Sequence, residues 1–195
     1  MWSIIKELLL ALAISTDWTP IIGRLVDVYF KLLVSNKKTL ITGPLASGKT
    51  TFLQYISKEI IPDGPSGAPK RYKVKDAIFD EATDFSGDAS WLTSFNDVIN
   101  EHDYILFFFD VSEFLKDLEY RKDCYARIDA IHRDISSKNK VLVVGTHIDK
   151  VSGNYRADIE NMFAGKRYQS ILSRTVYIDT RKKECVKTIL DELKK

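Results

Sequence analysis

The chain has 195 residues, of which 45% are apolar and 11% aromatic. This length is enough for the core of one ordinary domain and leaves roughly 30 to 40 residues for an appendage. The 29 basic and 27 acidic residues give a formal net charge of +2, too small to indicate a nucleic-acid partner, and we expect none. Cys124 and Cys185 are isolated, which argues against a disulfide framework or a zinc site and predicts a cytoplasmic protein.

Two amphipathic helices are predicted in residues 1–35. The first apolar run, Leu8 to Ile14, is shorter than the about 20 residues that a membrane-spanning helix needs. The second helix begins where Thr19 can act as N-cap and Pro20 takes the first helical position. We expect these helices to pack on the domain, on a partner or on another copy of the chain. Membrane association through residues 1–18 is the less favoured alternative.

From residue 36 onwards we predict one domain, in which short apolar runs alternate with helical patterns. Strands are predicted at 39–42, 76–80, 104–110, 141–146 and 175–179. Helices are predicted at 49–60, 90–101, 113–136, 155–165 and 184–194. Residues 61–70 hold three prolines and two glycines and predict a loop. Because the strands are apolar on both faces, the pattern predicts a three-layer α/β fold, a mostly parallel sheet with helices on both sides.

The stretch "GPLASGKT", Gly43 to Thr50, places GxxxxGK[ST] between a predicted strand and a predicted helix. Glycines let the backbone approach a phosphate, and loop amides with the helix N-terminus attract the anion. The motif therefore predicts a P-loop NTPase fold, in which Lys49 reaches the β- and γ-phosphates and Thr50 offers its hydroxyl to Mg²⁺. A second carboxylate for Mg²⁺ is expected at the end of a neighbouring strand, and both Asp80 and Asp110 qualify.

The stretch "VLVVGTHIDKV", residues 141–151, is a candidate for contact with the nucleotide base. It puts Thr146, His147 and Asp149 at the carboxyl end of a buried strand, where α/β sheets place ligands. A carboxylate can accept hydrogen bonds from N1 and the exocyclic amino group of guanine, whereas it would meet the N1 lone pair of adenine. Asp149 therefore favours guanine, while the alternative that it only caps the following turn stays open.

The stretches "GPLASGKTT", "FDEATD", "GTHID" and "YIDT" occur in the order and roughly at the spacings of the Ras-like small GTPases of the TRAFAC class. "SGKTTFLQ" and "GTHID" resemble the Roc domains of Roco proteins, and "YILFFFDVSE" is similar to the fourth strand of Arf-like and Ras-like proteins. The resemblance covers residues 39–195. It implies a G domain that binds GTP or GDP with Mg²⁺ and has weak GTPase activity.

Carried over position by position, the resemblance implies three groups of ligand contacts. The residues that would hold phosphate are Gly43, Ser47, Gly48, Lys49, Thr50 and Thr51. Those that would serve Mg²⁺ are Thr50 and Asp80, with Asp110 on the next strand outward. Those that would contact guanine are Thr146, His147, Asp149 and a backbone amide near Lys182, in a run where relatives carry serine, alanine and lysine.

Departures from the family pattern lie where hydrolysis is expected to occur. No threonine stands between Thr51 and Thr83, so the residue that normally senses the γ-phosphate is missing. After Asp80 the family expects a glycine at the position of Thr83 and commonly a water-orienting glutamine at that of Asp84, and Gly87 supplies the glycine only if the register moves. We predict Lys49 and Asp84 as the catalytic residues, Asp84 being a weak candidate because its charge opposes a γ-phosphate.

Two further structural expectations follow from the sequence. The interval between Lys49 and Asp80 is short for the hairpin usual in the family, which predicts a truncated sheet edge with one strand from about Tyr72 to Asp80. His102 and His132 have no partner constellation and are expected on the surface.

Three functional hypotheses remain. The favoured one is a GTP-binding switch protein with slow or partner-assisted hydrolysis, served by a protein effector or regulator or by self-association. The second is a pseudo-GTPase that holds nucleotide as a structural ligand and acts as an interaction module. The third is a P-loop ATPase or kinase.

Overall fold

A computed structural model of the chain describes residues 37–61, 70–74, 81–85 and 95–195, except the side chains of 58–61 and 96. All of these belong to the second of two compact units, Asn36–Lys195. The predicted N-terminal helices and the predicted strand 76–80, with Asp80, lie outside the described residues. Within the described ranges, none of the helices combines the length and the apolar composition needed to cross a membrane.

Seven strands and seven helices follow one another along these ranges. The strands are β1 Lys38–Thr42, β2 Ser57–Ile61, β3 Lys70–Val74, β4 Glu81–Asp84, β5 Tyr104–Asp110, β6 Lys140–Thr146 and β7 Thr175–Tyr177. The helices are α1 Lys49–Ile56, α2 Phe95–Asn100, α3 Val111–Lys116, α4 Leu118–Asp134, α5 Tyr155–Phe163, α6 Gln169–Leu172 and α7 Glu184–Lys194, and a 3₁₀ turn spans Ile148–Lys150.

The strands form a single sheet in the order β2-β3-β4-β1-β5-β6-β7. Strands β4, β1, β5, β6 and β7 are parallel, and β3 and β2 continue the sheet as antiparallel strands. The prediction of a mostly parallel α/β sheet is confirmed. All strand carboxyl ends of the parallel part therefore meet at one edge of the sheet, where the glycine-rich stretch Gly43 to Thr50 also begins.

Helices cover both faces of the sheet, as the apolar strands predicted. Alternate side chains of β5 enter different cores: Phe107 and Phe109 pack with the α3 and α4 helices, and Leu106 and Phe108 pack with α1 and α7. Because successive side chains of a strand point to opposite faces, a sheet buried on both sides needs an unbroken apolar run. All seven residues of β5 are buried, which is why this strand was readable from the sequence.

Two predicted elements differ from the structure. Helix α1 ends at Ile56 instead of residue 60, and the residues it releases form β2, which pairs with β3. The prediction of a truncated sheet edge is therefore wrong. The predicted helix 113–136 is two helices, because the Asp117 carboxylate accepts hydrogen bonds from the amides of Glu119 and Tyr120 and so starts α4 as its N-cap.

His102 is buried, with 5% of its surface exposed, so its predicted surface position is wrong. Its Nδ1 lies 2.6 Å from the carbonyl oxygen of Val98 and its Nε2 lies 2.8 Å from the hydroxyl of Thr83 in β4. Since a carbonyl only accepts, Nδ1 carries the proton and Nε2 of the neutral ring accepts the Thr83 hydrogen. Burial lowers the pKa of His102 below its ordinary value.

This histidine makes the stability of the fold depend on pH. Because its pKa in the folded state is below the unfolded value of 6.5, its contribution is complete above that pH and is lost as the pH falls through the folded pKa. We expect the free energy of unfolding in urea to fall more steeply in the wild type than in His102→Gln from about pH 7 to about pH 5. His132→Gln is the control and should keep the wild-type slope. Equal slopes for all three proteins would contradict the prediction.

Candidate functional site

The glycine-rich loop between β1 and α1 has a backbone that ordinary residues rarely adopt. Gly43 has a φ of 141° and Gly48 a φ of 86°, both in the range that favours glycine. A Cβ atom at Gly43 would collide with the carbonyl oxygen of Phe108 in β5. The loop therefore lies directly against the neighbouring strand, and glycine at position 43 is what allows this approach.

Lys49, the first residue of α1, is buried under this loop. Its Nζ donates to the carbonyl oxygens of Gly43 at 2.8 Å and Pro44 at 2.6 Å, and to the hydroxyl of Ser47 at 3.1 Å. Only 7% of its surface is exposed, and burial lowers its pKa to about 8. The loop thus wraps around an ammonium group that carries charge at neutral pH and is oriented by three acceptors.

A cavity of about 260 Å³ lies beside the loop. Its lining residues are Leu45, Ala46, Ser47, Gly48, Lys49, Thr50, Thr51, Asp84 and His147. Most of the predicted phosphate-binding residues therefore share one cavity with Asp84, and His147 joins them from the loop after β6. Thr146, Asp149 and Lys182 are not among the residues lining it.

Asp84 is the last residue of β4 and pairs in register with Ile41, next to the start of the loop. Its Oδ1 is buried and has no hydrogen-bond partner in the described part of the chain. Burial raises the pKa of this carboxyl group, and the charge of Lys49 opposes that rise. A buried carboxylate oxygen that lacks a partner is costly, and a cation or its bound water would satisfy it.

Asp110, one of the two candidate magnesium carboxylates, is already engaged on both oxygens. Its Oδ1 accepts from the amides of Ser112 and Glu113 and caps α3. Its Oδ2 lies 3.0 Å from Nδ1 of His147 and 3.7 Å from Nζ of Lys150. Asp110 therefore holds the start of a helix and orients an imidazole, and it does not line the cavity.

Thr146 joins the end of β6 to the glycine-rich loop. Its hydroxyl oxygen lies 3.0 Å from the carbonyl oxygen of Ser47 and 3.0 Å from that of Phe109. The residue is completely buried, so its hydroxyl stabilises the position of the loop from the interior of the protein. The sequence predicted a base contact for Thr146, and its hydroxyl contacts two backbone carbonyl oxygens and the His147 ring.

His147 has a left-handed backbone, with a φ of 55°, and turns its side chain toward the cavity wall. Its Nδ1 contacts both Asp110 and, at 2.9 Å, the Thr146 hydroxyl. These contacts fix the orientation of the ring, which presents an aromatic face or a nitrogen at the rim of the site.

Asp149 lies in the 3₁₀ turn after His147, and 16% of its side chain is exposed. Its Oδ2 lies 3.3 Å from Nη1 of Arg181. The carboxylate caps no backbone amide among the described residues, which disfavours the capping alternative. The amide of Lys182, predicted to meet a ligand, donates instead to the carbonyl oxygen of Asp179 at 3.1 Å.

Comparison with known proteins adds no family assignment. The chain matches no protein-family model, and no curated protein matches it significantly. Its function therefore has to be inferred from the geometry of the site, in which a buried lysine, a glycine-rich loop and an unpaired carboxylate oxygen meet beside the carboxyl ends of parallel strands.

Proposed function

We propose that this chain binds GTP and GDP together with Mg²⁺ and acts as a small GTPase-like switch that hydrolyses GTP slowly or with the help of a partner protein. The observation that carries the proposal is the buried, unpaired Oδ1 of Asp84 in the same cavity as Lys49 and the exposed Thr50. The negatively charged phosphate oxygens of a nucleotide are bound together with Mg²⁺. Oxygen ligands such as a hydroxyl and a carboxylate are the protein groups that Mg²⁺ commonly uses.

The phosphate chain would occupy the cavity beside the loop. Its negative charge is matched by the Lys49 ammonium and by the amides at the N-terminus of α1. The Ser47 and Gly48 segment is held by Thr146, so the loop need not reorganise when the anion binds.

The magnesium carboxylate in this proposal is Asp84, in place of the Asp80 that the family resemblance suggested. Asp84 ends the strand that is hydrogen-bonded to β1, while Asp80 lies outside the described residues. Bound Mg²⁺ would neutralise charge between phosphates, with the Thr50 hydroxyl and the Asp84 carboxylate orienting it or its water. With Asp84 in this role, Gly87 falls three residues later, where the resemblance expects a glycine.

This assignment changes the expectation for hydrolysis. Thr83 becomes a buried strand residue bonded to His102, no longer a replacement for the mobile glycine. Asp84 is no longer a candidate base, because a metal-side carboxylate is not placed to accept a proton from water. The absence of threonine between Thr51 and Thr83 still argues for slow or assisted hydrolysis, and it is the observation that keeps the pseudo-GTPase as the second candidate.

Recognition of the base is assigned to Asp149. Its carboxylate stands at the carboxyl end of the sheet, next to His147, which lines the cavity. Two acceptor oxygens match the two adjacent N–H groups of guanine, whereas adenine offers a lone pair at N1. An adenine nucleotide would therefore leave this carboxylate without the two donors that guanine supplies.

The proposal is tested by competition of GTP, GDP and ATP against a fluorescent GDP analogue on nucleotide-stripped full-length chain with Mg²⁺. We expect GTP and GDP to compete at least about a hundredfold better than ATP, because the carboxylate leaves adenine unpaired. Asp149→Asn should reduce this preference and improve binding of xanthosine diphosphate, whose O2 accepts from an amide. A preference for ATP would point to a P-loop ATPase or kinase instead.

Turnover distinguishes the two guanine-binding candidates. Single-turnover release of the γ-phosphate that needs Mg²⁺ and is abolished by Lys49→Ala would support a slow GTPase. If GTP stays bound and no γ-phosphate is released, both with and without a cell extract that can supply a partner protein, the result would support the pseudo-GTPase.

A further inference from the structure

The Arg181 guanidinium group bridges two carboxylates at the edge of the proposed base site. Its Nε lies 3.0 Å from Oδ1 of Asp179 and its Nη2 lies 2.9 Å from Oδ2 of the same residue. This two-pronged contact leaves Nη1, which lies 3.3 Å from Oδ2 of Asp149. One planar cation therefore connects the loop after β7 with the loop after β6.

Asp179 is a rigid anchor for this cation. Its Oδ1 also accepts from the backbone amide of Arg181 at 3.0 Å, and its carbonyl oxygen accepts from the amide of Lys182 at 3.1 Å. The hydrogen bonds from Arg181 lower the pKa of Asp179 to about 2, so the anchor stays ionised at neutral pH. A bidentate contact fixes the plane of a guanidinium in a way that a lysine ammonium cannot reproduce.

We propose that Arg181 is a positioning residue that sets base selectivity by holding the Asp149 carboxylate in the orientation that reads guanine. This inference rests on the proposed function, because it concerns the same base site. Arg181 approaches Oδ2 of Asp149, and Oδ1 makes no hydrogen bond to a described residue. Oδ1 is thus open to one N–H group of the ligand, and Oδ2 keeps a lone pair that can accept from a second N–H group.

The charges at this edge explain why the orientation of Asp149 would depend on Arg181. Without the guanidinium, Asp179 would keep only the distant ammonium of Lys182, 4.0 Å from its Oδ2, and Asp149 would have no ion pair with a described residue. Two carboxylates that lose the cation they share repel each other, which favours rotation of the less firmly held side chain or its protonation. The Asp179 carboxylate also accepts from the backbone amide of Arg181, which an alanine variant keeps, so Asp149 is the carboxylate that would lose its orientation.

Arg181→Ala, Arg181→Lys and Lys183→Ala, each in the full chain, test this role. Lys183 is an exposed cation two residues away, so its alanine variant controls for the loss of positive charge from the loop. Dissociation constants are measured for GDP, inosine diphosphate, which lacks the amino group, and ADP. We expect Arg181→Ala to lower the ADP-to-GDP ratio of dissociation constants about tenfold and to change ADP binding by less than about twofold.

Each remaining outcome supports or overturns the inference. An intermediate ratio for Arg181→Lys and an unchanged ratio for Lys183→Ala support it, because they assign the effect to the planar fork. An unchanged ratio in Arg181→Ala overturns it, as does an equal loss of GDP and ADP affinity, which would mean a general structural defect. Tighter GDP binding in Arg181→Ala would also overturn it, because Arg181 would then compete with the base for Asp149. If wild-type protein binds no guanine nucleotide, the proposed function fails first.

Discussion

Replacing Lys49 with alanine is expected to weaken binding of both GDP and GTP by on the order of a hundredfold, because truncating one side of a buried charge pair costs several kcal/mol. The ammonium is already held at the centre of the loop by three acceptors, so phosphate would gain a prepositioned cation. Titration calorimetry on the nucleotide-stripped chain measures the loss. Lys187→Ala, which removes an exposed lysine of α7, is the matched control and should bind like the wild type.

A pH profile separates this electrostatic role from a structural one. Burial lowers the pKa of Lys49 in the free protein to about 8, and an anionic ligand favours its charged form. Wild-type affinity should therefore fall as the pH rises through this value, while Lys49→Ala should show no such fall. An alanine variant that binds within about threefold of the wild type would contradict the assignment, since a charged hydrogen bond is worth more than that.

Asp84→Asn is expected to remove most of the gain in GTP affinity that Mg²⁺ provides. The expected loss is on the order of tenfold to a hundredfold, as for other groups that orient a metal or its water. Asp80→Asn is the rival variant, since the family resemblance alone favoured that residue. We expect it to retain the Mg²⁺ effect, because Asp84 ends the strand paired with β1 and lines the cavity. The measurement is GTP affinity at increasing Mg²⁺ for the wild type and both variants.

The unfolding temperature without ligand shows whether Asp84→Asn has lost a metal ligand or has lost stability. The Asp84 carboxylate is partly buried with one unpaired oxygen, so neutralising it should leave the unfolding temperature unchanged or raise it. A variant that loses the Mg²⁺ effect without losing stability has lost a ligand. If Asp80→Asn is the variant that loses it, the assignment of Asp84 is wrong.

The sequence by itself determined the elements whose chemistry is local. The β5 strand was predicted at its observed bounds because all seven of its positions are buried. The α7 helix was also predicted at its observed bounds, since Cys185, Ile189 and Leu193 recur at helical spacing and form its buried face. The glycine-rich loop was readable because left-handed backbone and close approach to β5 require glycine at fixed places. In each case the residue types alone select the structure.

Only the tertiary structure placed Asp84 beside the loop. The run "DAIFD" is more apolar than "EATD", so side-chain pattern favoured the earlier strand with Asp80 at its end. Residues 81–84 form a strand because β1 and β3 bond to them on both sides, and the Thr83 hydroxyl is satisfied by His102. Backbone pairing of this kind has no signature in the side chains of one strand.

The bridge formed by Arg181 could not be predicted from the sequence either, since the family resemblance implied only a backbone amide near Lys182 as a ligand contact in this run. Thirty-two positions separate Arg181 from Asp149, and only the parallel pairing of β6 with β7 brings their loops together. Local composition determined the glycine-rich loop, whereas long-range strand pairing determined which charges surround it, because electrostatic contacts depend on distance in space and not along the chain.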